Sequence, residues 1–429
     1  MKILIFSTAY LPFVGGAELA IKEITDRLSH SPFVKGSTRP PQGDWRDFSF
    51  TLITARFKRS VSKHERIGNI DVYRVGFGTP FDKWLLPWLG LRKAKQLELS
   101  VSQTNPPGFE VIWSMMASQA SIAATWFKEL HQDKKLVLTL QEGDEEAHLR
   151  RYVFGNDFLY QIFIRSWHVA VFKQADVITA ISNYLADRAR KNSAAEVVVI
   201  PNGVDIKKFE ALSSKLEERE EERRKLQIRP EDKVVITTSR LVEKNGVGDL
   251  IAAMKDLPEN VKLLVLGTGQ LEGKLKLEVL SSKLEERVKF LGHVAHEELP
   301  SYLHIADVFC RPSLSEGFGS SFVEAMAAGL PVVATPVGGI PDFLSSPPFH
   351  LFRGGIEGGE LPKGWGDNIT GLFCNVGAPQ DIAEKIQLLL SDAELRNRIV
   401  TNAEKMVRER YDWKGIAEKM KNVLKTGVT

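Results

Sequence analysis

Short apolar runs alternate with amphipathic stretches along the whole chain. KILIFS (2–7) precedes a Gly-Gly loop and then ELAIKEITDRL, whose apolar residues recur at helical spacing. FTLITA (50–55), DVYRV (71–75), EVIWS (110–114), KLVLTL (135–140), DVITAI (176–181) and EVVVI (196–200) read as further buried strands. Helical segments near 83–104, 118–131 and 156–174 separate several of them. β-rich runs alternating with helices predict a parallel sheet covered on both faces. The series restarts after residue 200 with KVVITTS (233–239), VKLLVLG (261–267), RVKFLG (287–292), DVFCRP (307–312) and LPVVAT (330–335). The pattern therefore predicts an α/β protein of two doubly wound, Rossmann-like units, 1–203 and 204–410. The junction falls at PNGVDIKKF (201–209) and the charged helix SSKLEEREEERRKLQI after it. SSKLEER occurs twice, at 213–219 and 281–287, and both copies read as helix starts with a Ser-x-x-Glu capping box. SPFVKGSTRPPQGDW (31–45) and SSPPFHLFRGGIEGGELPKGWGDN (345–368) read as surface insertions. Sheets of this kind bind ligands beyond the C-terminal ends of their strands, so a cleft between two facing units is the expected site. The layout alone suits a dehydrogenase or an epimerase equally.

Composition narrows the picture only a little. The 429 residues suit two domains, and 43% hydrophobic with 26% charged content suits a soluble globular chain. A formal charge of +3 is too small to imply nucleic acid. Residues 1–200 carry 26 basic against 20 acidic side chains, and the remainder 31 against 34. The first half could face an anionic acceptor or membrane surface, or simply carry solubilising charge. Cys310 and Cys374 form no metal-ligand spacing, and a reducing cytoplasm fits them. The opening MKILIFSTAYLPF resembles a short signal peptide, but Pro12, Gly15, Gly16 and Glu18 favour a buried strand and its loop. No uncharged apolar run reaches the roughly 18 residues of a membrane span.

The richest chemistry lies in SLSEGFGSSFVEAMAAGLPVVATPVGG (313–339), directly after a strand. Glu316 sits in the loop Glu316-Gly317-Phe318-Gly319, and a helix starts near Ser320 carrying Glu324. The positive end of that helix suits a diphosphate, and the glycines let backbone approach a ligand. Two carboxylates eight residues apart can accept hydrogen bonds from two different hydroxylated groups. Glu324 alone would also read as a favourable charge near a helix start.

On these residues the sequence resembles the retaining GT-B glycosyltransferases of family 4, with their E-x7-E motif. The resemblance covers nearly the whole chain and is strongest over 196–410. It implies that Glu324 binds the donor ribose and Glu316 the transferred sugar, with the backbone of Gly317, Phe318 and Gly319 close by. It implies an Arg and a Lys in SRLVEKNG (239–246) that neutralise the leaving diphosphate without a metal. Arg240 fits. The commoner spacing puts the lysine at Asn245, whereas Lys244 stands one residue earlier, so either the loop is one residue shorter or Asn245 takes part. The resemblance also brings Gly15 and Gly16 to the donor phosphates. Gln141 stands where the family often has a His, with Glu142 and Asp144 following on the acceptor side. A same-face reaction needs no protein base, because the leaving phosphate can take the proton. The last helix, within 411–429, is expected to cross back onto the N-terminal unit as part of a hinge. No metal and no cofactor are expected; the nucleotide sugar is a substrate, and the acceptor is a glycan, lipid-linked or other hydroxyl compound. The expected location is cytoplasmic, free or on the inner membrane face. The rival readings are a nucleotide-sugar epimerase and a non-catalytic binder.

Two signals remain. LGTGQLEG (266–273) admits a dinucleotide loop or a tight strand–helix turn, and no acidic residue follows the next strand to hold a ribose. FGTPFDKWLLPWLGLRKAK (77–95) interleaves Phe81, Trp84, Leu86, Trp88 and Leu89 with Lys83, Arg92, Lys93 and Lys95. It suits an interfacial membrane contact or a helix packed on the core.

Overall fold

The structure, a computed structural model, describes residues 1–13, 15–29, 48–102, 108–141, 166–210, 216–346 and 368–426. The insertion 31–45, most of the insertion 345–368, and Glu142 and Asp144 lie outside them. The chain divides into two compact units, one formed by Met1–Asn202 with Trp413–Thr429, the other by Gly203–Asp412.

In the first unit the described strands are β1 (Lys2–Phe6), β2 (Ser49–Ala55), β3 (His64–Ile67), β4 (Ile70–Val75), β5 (Val111–Met115), β6 (Lys135–Leu140), β7 (Val177–Ala180) and β8 (Glu196–Val199). They form one sheet in the order β3-β4-β2-β1-β5-β6-β7-β8. All neighbours run parallel except β3, which pairs antiparallel with β4. Strand alternation divides the central strand between two cores. Ile3 and Ile5 pack with Ile21 and Ile24 of helix Gly16–Ser29 and with Trp413, Ile416 and Met420 of helix Trp413–Thr426. Leu4 and Phe6 pack on the opposite side with Leu86, Ala123 and Phe127. Apolar side chains on both faces are why this strand reads as an unbroken hydrophobic run.

In the second unit β9 (Lys233–Thr238), β10 (Val261–Leu266), β11 (Val288–Gly292), β12 (Val308–Arg311), β13 (Val332–Ala334) and β14 (Leu372–Phe373) form an all-parallel sheet, ordered β11-β10-β9-β12-β13-β14. Its main core gathers Val235, Leu263, Val265, Val308 and Val333 under helices Val247–Ala253 and Pro379–Ser391. Cys310 and Cys374 are buried here and unbonded. Burial pushes the Cys374 thiol up to about 12, with nearby Asp381 adding to the shift.

One expectation changes, and two open readings meet the structure. The second SSKLEER is not a helix start. Its first residue ends helix Glu272–Ser281, Lys283 turns the chain at φ +56°, and β11 follows at Val288. The preceding helix already buries Leu275 and Val279, so the capping pattern is spent on a turn. LGTGQLEG is a tight packing turn: a Cβ on Gly267 would meet the Ser239 carbonyl oxygen at 1.9 Å. The aromatic segment divides between its two readings. Helix Asp82–Val101 buries Leu86, Pro87 and Gly90 and leaves Trp88 at 54% exposure, while Phe77 and Phe81 in the turn before it are 68% and 62% exposed. Trp88 is grouped with Trp126 and Trp167, ring centroids 5.9–6.5 Å apart. The turn that carries Phe77 and Phe81 is braced. Burial raises the Asp82 carboxyl, but N–H bonds from Phe77, Gly78 and Thr79 outweigh it and hold the group below its usual range. Gly78 backs onto the Arg59 backbone, where a Cβ would sit 2.6 Å from the nitrogen.

Because Lys283 occupies the left-handed region, Lys283→Gly is expected to stabilise the C-terminal unit by about 0.5–1 kcal/mol. The check is the thermal unfolding midpoint, which should rise relative to the unsubstituted chain.

Candidate functional site

β9, β12 and β13 are neighbours in a parallel sheet, so the loops leaving their C-terminal ends emerge side by side. Backbone hydrogen bonds lock these loops together. The Lys244 carbonyl accepts the N–H groups of Leu314 at 2.7 Å and Ser315 at 3.4 Å. The Glu316 carbonyl accepts the Gly339 N–H at 3.2 Å, and the Thr335 hydroxyl donates to the Ser313 carbonyl. Two glycines permit this closeness. A Cβ on Gly246, at φ +67°, would lie 1.9 Å from the Pro312 carbonyl oxygen. One on Gly338, at φ +56°, would lie 1.7 Å from that of Glu316.

The cation-bearing loop is thus fastened beside the Glu316 loop. Arg240 is exposed and Lys244 half-buried. Asn245 is buried and turns inward, its amide nitrogen donating to the Arg240 carbonyl at 2.7 Å. It braces the loop, while Lys244 is partly buried and the neighbouring Glu243 exposed.

Glu316 is held on both oxygens. Oε2 pairs with the guanidinium of Arg311, and Oε1 accepts the N–H of Gly317 at 3.1 Å. Arg311 is itself buried, donates to Ser321 Oγ at 2.8 Å and Ser313 Oγ at 3.1 Å, and lies over the Phe322 ring at 4.3 Å. Gly319 caps helix Ser320–Ala327 in the left-handed conformation at φ +93°. The first-turn N–H groups of this helix have no acceptor within the helix itself. Phe318 is 2% exposed and packs its ring on Phe343 and Tyr411, so only its backbone faces the loop surface. Glu324 is buried, and its Oε1 lies 2.9 Å from His296 Nε2.

In the N-terminal unit Gly15 and Gly16 are exposed where helix Gly16–Ser29 begins beyond β1. Gln141 follows β6, and its amide pairs reciprocally with that of Asn202 at 2.9 and 2.8 Å. Asn202 Nδ2 comes within 3.7 Å of the Cβ position of Gly16. Gln141 and Gly16 are therefore joined through Asn202. Among the described residues no group of three His, Cys, Asp or Glu side chains is arranged to hold a metal ion.

Sequence reasoning passed over Arg311, His296 and Asn202. Arg311 carried a signal, since it is a charge within an apolar core strand, DVFCRP. His296 carried none, because it reaches Glu324 across 28 residues of chain.

Two parallel-sheet α/β units are the architecture of the GT-B class. Over 99% of both chains the structure matches the Anabaena protein HepE, solved with UDP and glucose, at a TM-score of 0.71 and 19% identity. The profile for "Glycosyl transferases group 1" matches residues 218–346, and that for "Glycosyltransferase Family 4" matches residues 46–208. The chain is 32% identical over 232 residues to an uncharacterised glycosyltransferase of Methanocaldococcus jannaschii, covering 54% of each chain. It is 27% identical to a GDP-mannose-dependent monoacylated alpha-(1-6)-phosphatidylinositol monomannoside mannosyltransferase of Corynebacterium glutamicum, over 59% of this chain and 63% of that one. The alignments thus span little more than half the length of these two relatives. The chain belongs to the family 4, group 1 glycosyltransferases.

Gly338→Ala should lower the unfolding free energy of the C-terminal unit by about 1–3 kcal/mol, since either the loop or the Glu316 carbonyl must move. Arg311→Met should cost near the low end of the roughly 3–5 kcal/mol of a broken buried pair, because a fifth of the Glu316 side chain still reaches solvent. Thermal unfolding of both variants checks the pair of values.

Proposed function

We propose that the protein transfers a sugar from a nucleoside-diphosphate donor to a hydroxyl acceptor with retention of anomeric configuration and without a metal. The observation that carries this reading is the tie between the Lys244 carbonyl and Leu314, which fastens the Arg240–Lys244 loop beside the start of helix Ser320–Ala327. A diphosphate at that helix start would meet backbone donors and two cations at once. Glu324 accepts the ribose hydroxyls, and Glu316 accepts a hydroxyl of the transferred sugar. The Arg311 ion pair supports this role for Glu316, since the buried guanidinium and the Gly317 N–H fix the carboxylate beside the helix start as a hydrogen-bond acceptor. In the reaction the bond from the anomeric carbon to the phosphate oxygen breaks. The acceptor oxygen bonds to the same face, and its proton passes to the departing diphosphate. Arg240 and Lys244 stabilise the charge that develops there. Gly15 and Gly16 are proposed as donor-phosphate contacts, and Gln141, fixed by Asn202, positions an acceptor hydroxyl. Glu142 and Asp144 belong to the same acceptor-side proposal.

The surface of the N-terminal unit supports one class of acceptor. Phe77, Phe81 and Trp88 are exposed, as are Lys58, Arg59 and Arg92 of the same unit, and the Arg59 backbone backs onto Gly78, next to Phe77. Aromatic side chains with a basic flank suit an anionic membrane interface. A lipid-linked acceptor fits that surface, and one relative's name includes a phosphatidylinositol mannoside. No described helix is long and apolar enough to cross a membrane, so the contact proposed is peripheral.

Thermal shift against UDP-, GDP- and ADP-sugars tests the donor. A true donor at 100 times its dissociation constant should add about 2.7 kcal/mol of stability. Turnover should survive EDTA, and proton NMR of the product should show the donor's anomeric configuration. Epimerised nucleotide sugar formed without an acceptor would overturn the transferase reading. For the surface, co-sedimentation with phosphatidylglycerol-containing vesicles is expected, falling with salt and lost in Phe77→Ser/Phe81→Ser/Trp88→Ser. Equal binding to purely zwitterionic vesicles would remove the anionic-membrane proposal.

A further inference from the structure

His296 stands between two charged side chains of the C-terminal unit. Its Nε2 lies 2.9 Å from Glu324 Oε1, and its Nδ1 lies 2.9 Å from Lys208 Nζ. Lys208 also donates to the His296 carbonyl oxygen at 2.8 Å, so the ammonium is anchored twice on one residue. Phe209 sets its ring edge-on to the imidazole, with centroids 6.2 Å apart.

The chemistry of the partners decides the imidazole's proton. An ammonium offers donors only, and a carboxylate offers acceptors only. Both ring contacts are hydrogen bonds in one arrangement alone: bare Nδ1 accepts from Lys208, and Nε2–H donates to Glu324. A doubly protonated ring would set two donors against each other at Nδ1. The opposite tautomer would do the same and leave Glu324 Oε1 facing a lone pair. Lys208 thereby selects the tautomer, and the tautomer selects what Glu324 can do. One carboxylate oxygen is committed to the ring and Oε2 is left to present. Glu324's side chain is only 10% exposed, so its orientation depends on such a partner.

We propose that His296, locked by Lys208 as the Nε2–H tautomer, is a positioning residue that aims Glu324 Oε2 at the donor's vicinal hydroxyls. The proposal rests on the reading of Glu324 as the ribose acceptor. It adds two residues, from the segment after β8 and the loop after β11, to the machinery of donor recognition. Neither needs to touch the reacting atoms.

Calorimetry of the full chain with UDP and with GDP, on the wild type and four variants, tests it. Glu324→Ala should abolish most of the affinity for the preferred nucleotide. His296→Ala should weaken it about tenfold, the loss expected for one hydrogen bond to a charged group. His296→Gln, whose amide can still donate to Glu324, should recover to within about threefold. In steady-state assays His296→Ala should raise the donor KM and leave kcat within about threefold. Nitrogen NMR on histidine-labelled protein at pH 8 should report the Nε2–H tautomer at 296 and a tautomer mixture in Lys208→Met. Unchanged affinity in Glu324→Ala would sink the donor-site reading itself. A loss in Glu324→Ala with none in His296→Ala would sink the positioning role alone. An Nδ1–H ring in the wild type would overturn the lock even if every variant melts early.

Discussion

The carbonyl oxygen of Lys244 accepts the N–H of Leu314 at 2.7 Å, and much of the C-terminal unit is arranged so that it can. β9 and β12 must be adjacent and parallel for their exit loops to meet. Gly246 must lack a side chain for the first loop to lie against Pro312, and Gly338 must lack one for the third loop to reach Glu316. Asn245 must turn inward to close the first loop on Arg240. Two cations, a carboxylate and a helix start then share one edge of the sheet as a rigid backbone assembly. Loops tied together through their backbones keep their relative positions without relying on flexible side chains.

Three buried guanidiniums of this unit are matched by groups of the protein itself. Arg311 is spent on Glu316 and on serine hydroxyls. Arg223 donates to the Ile305 and Asp232 carbonyls, and Arg287 to those of Val261, Leu257 and Pro258. Arg240 is exposed and Lys244 only half-buried. Unpaired burial would cost the fold several kcal/mol per ion, which is why the buried guanidiniums are matched.

The first unit shows the same economy in apolar form. Most of its large side chains fill one or other face of the sheet, as Trp113 and Phe127 do. Phe77 and Phe81 are exceptions that the Asp82 turn maintains against the hydrophobic effect. A surface kept apolar by a buried, hydrogen-bonded carboxylate is a built feature, distinct from the singly scattered apolar residues of any surface.

Periodicity was enough to read most strands of both sheets and the order in which the two units follow one another. Parallel strands buried on both faces leave an unbroken apolar trace that a single chain cannot hide. It was insufficient for β3, whose HERI is polar and sits at an edge, and for the two residues of β14. The repeated SSKLEER shows the limit most clearly, since one heptapeptide ends a helix at 281–287 although its capping pattern predicts a start. Local preference is worth tenths of a kcal/mol per residue, and burial of the preceding helix outweighs it. At the candidate site the sequence marked Glu316, Glu324, Arg240 and the Lys244–Asn245 ambiguity, because glycine placement and spacing are local. The Asn245–Arg240 and Arg311–Glu316 contacts each close within five residues, whereas the meeting of His296 with Glu324 across 28 residues was decided by the tertiary structure alone. Contacts between residues far apart in the chain leave no period and no spacing; they exist only once the sheet has set its loops side by side.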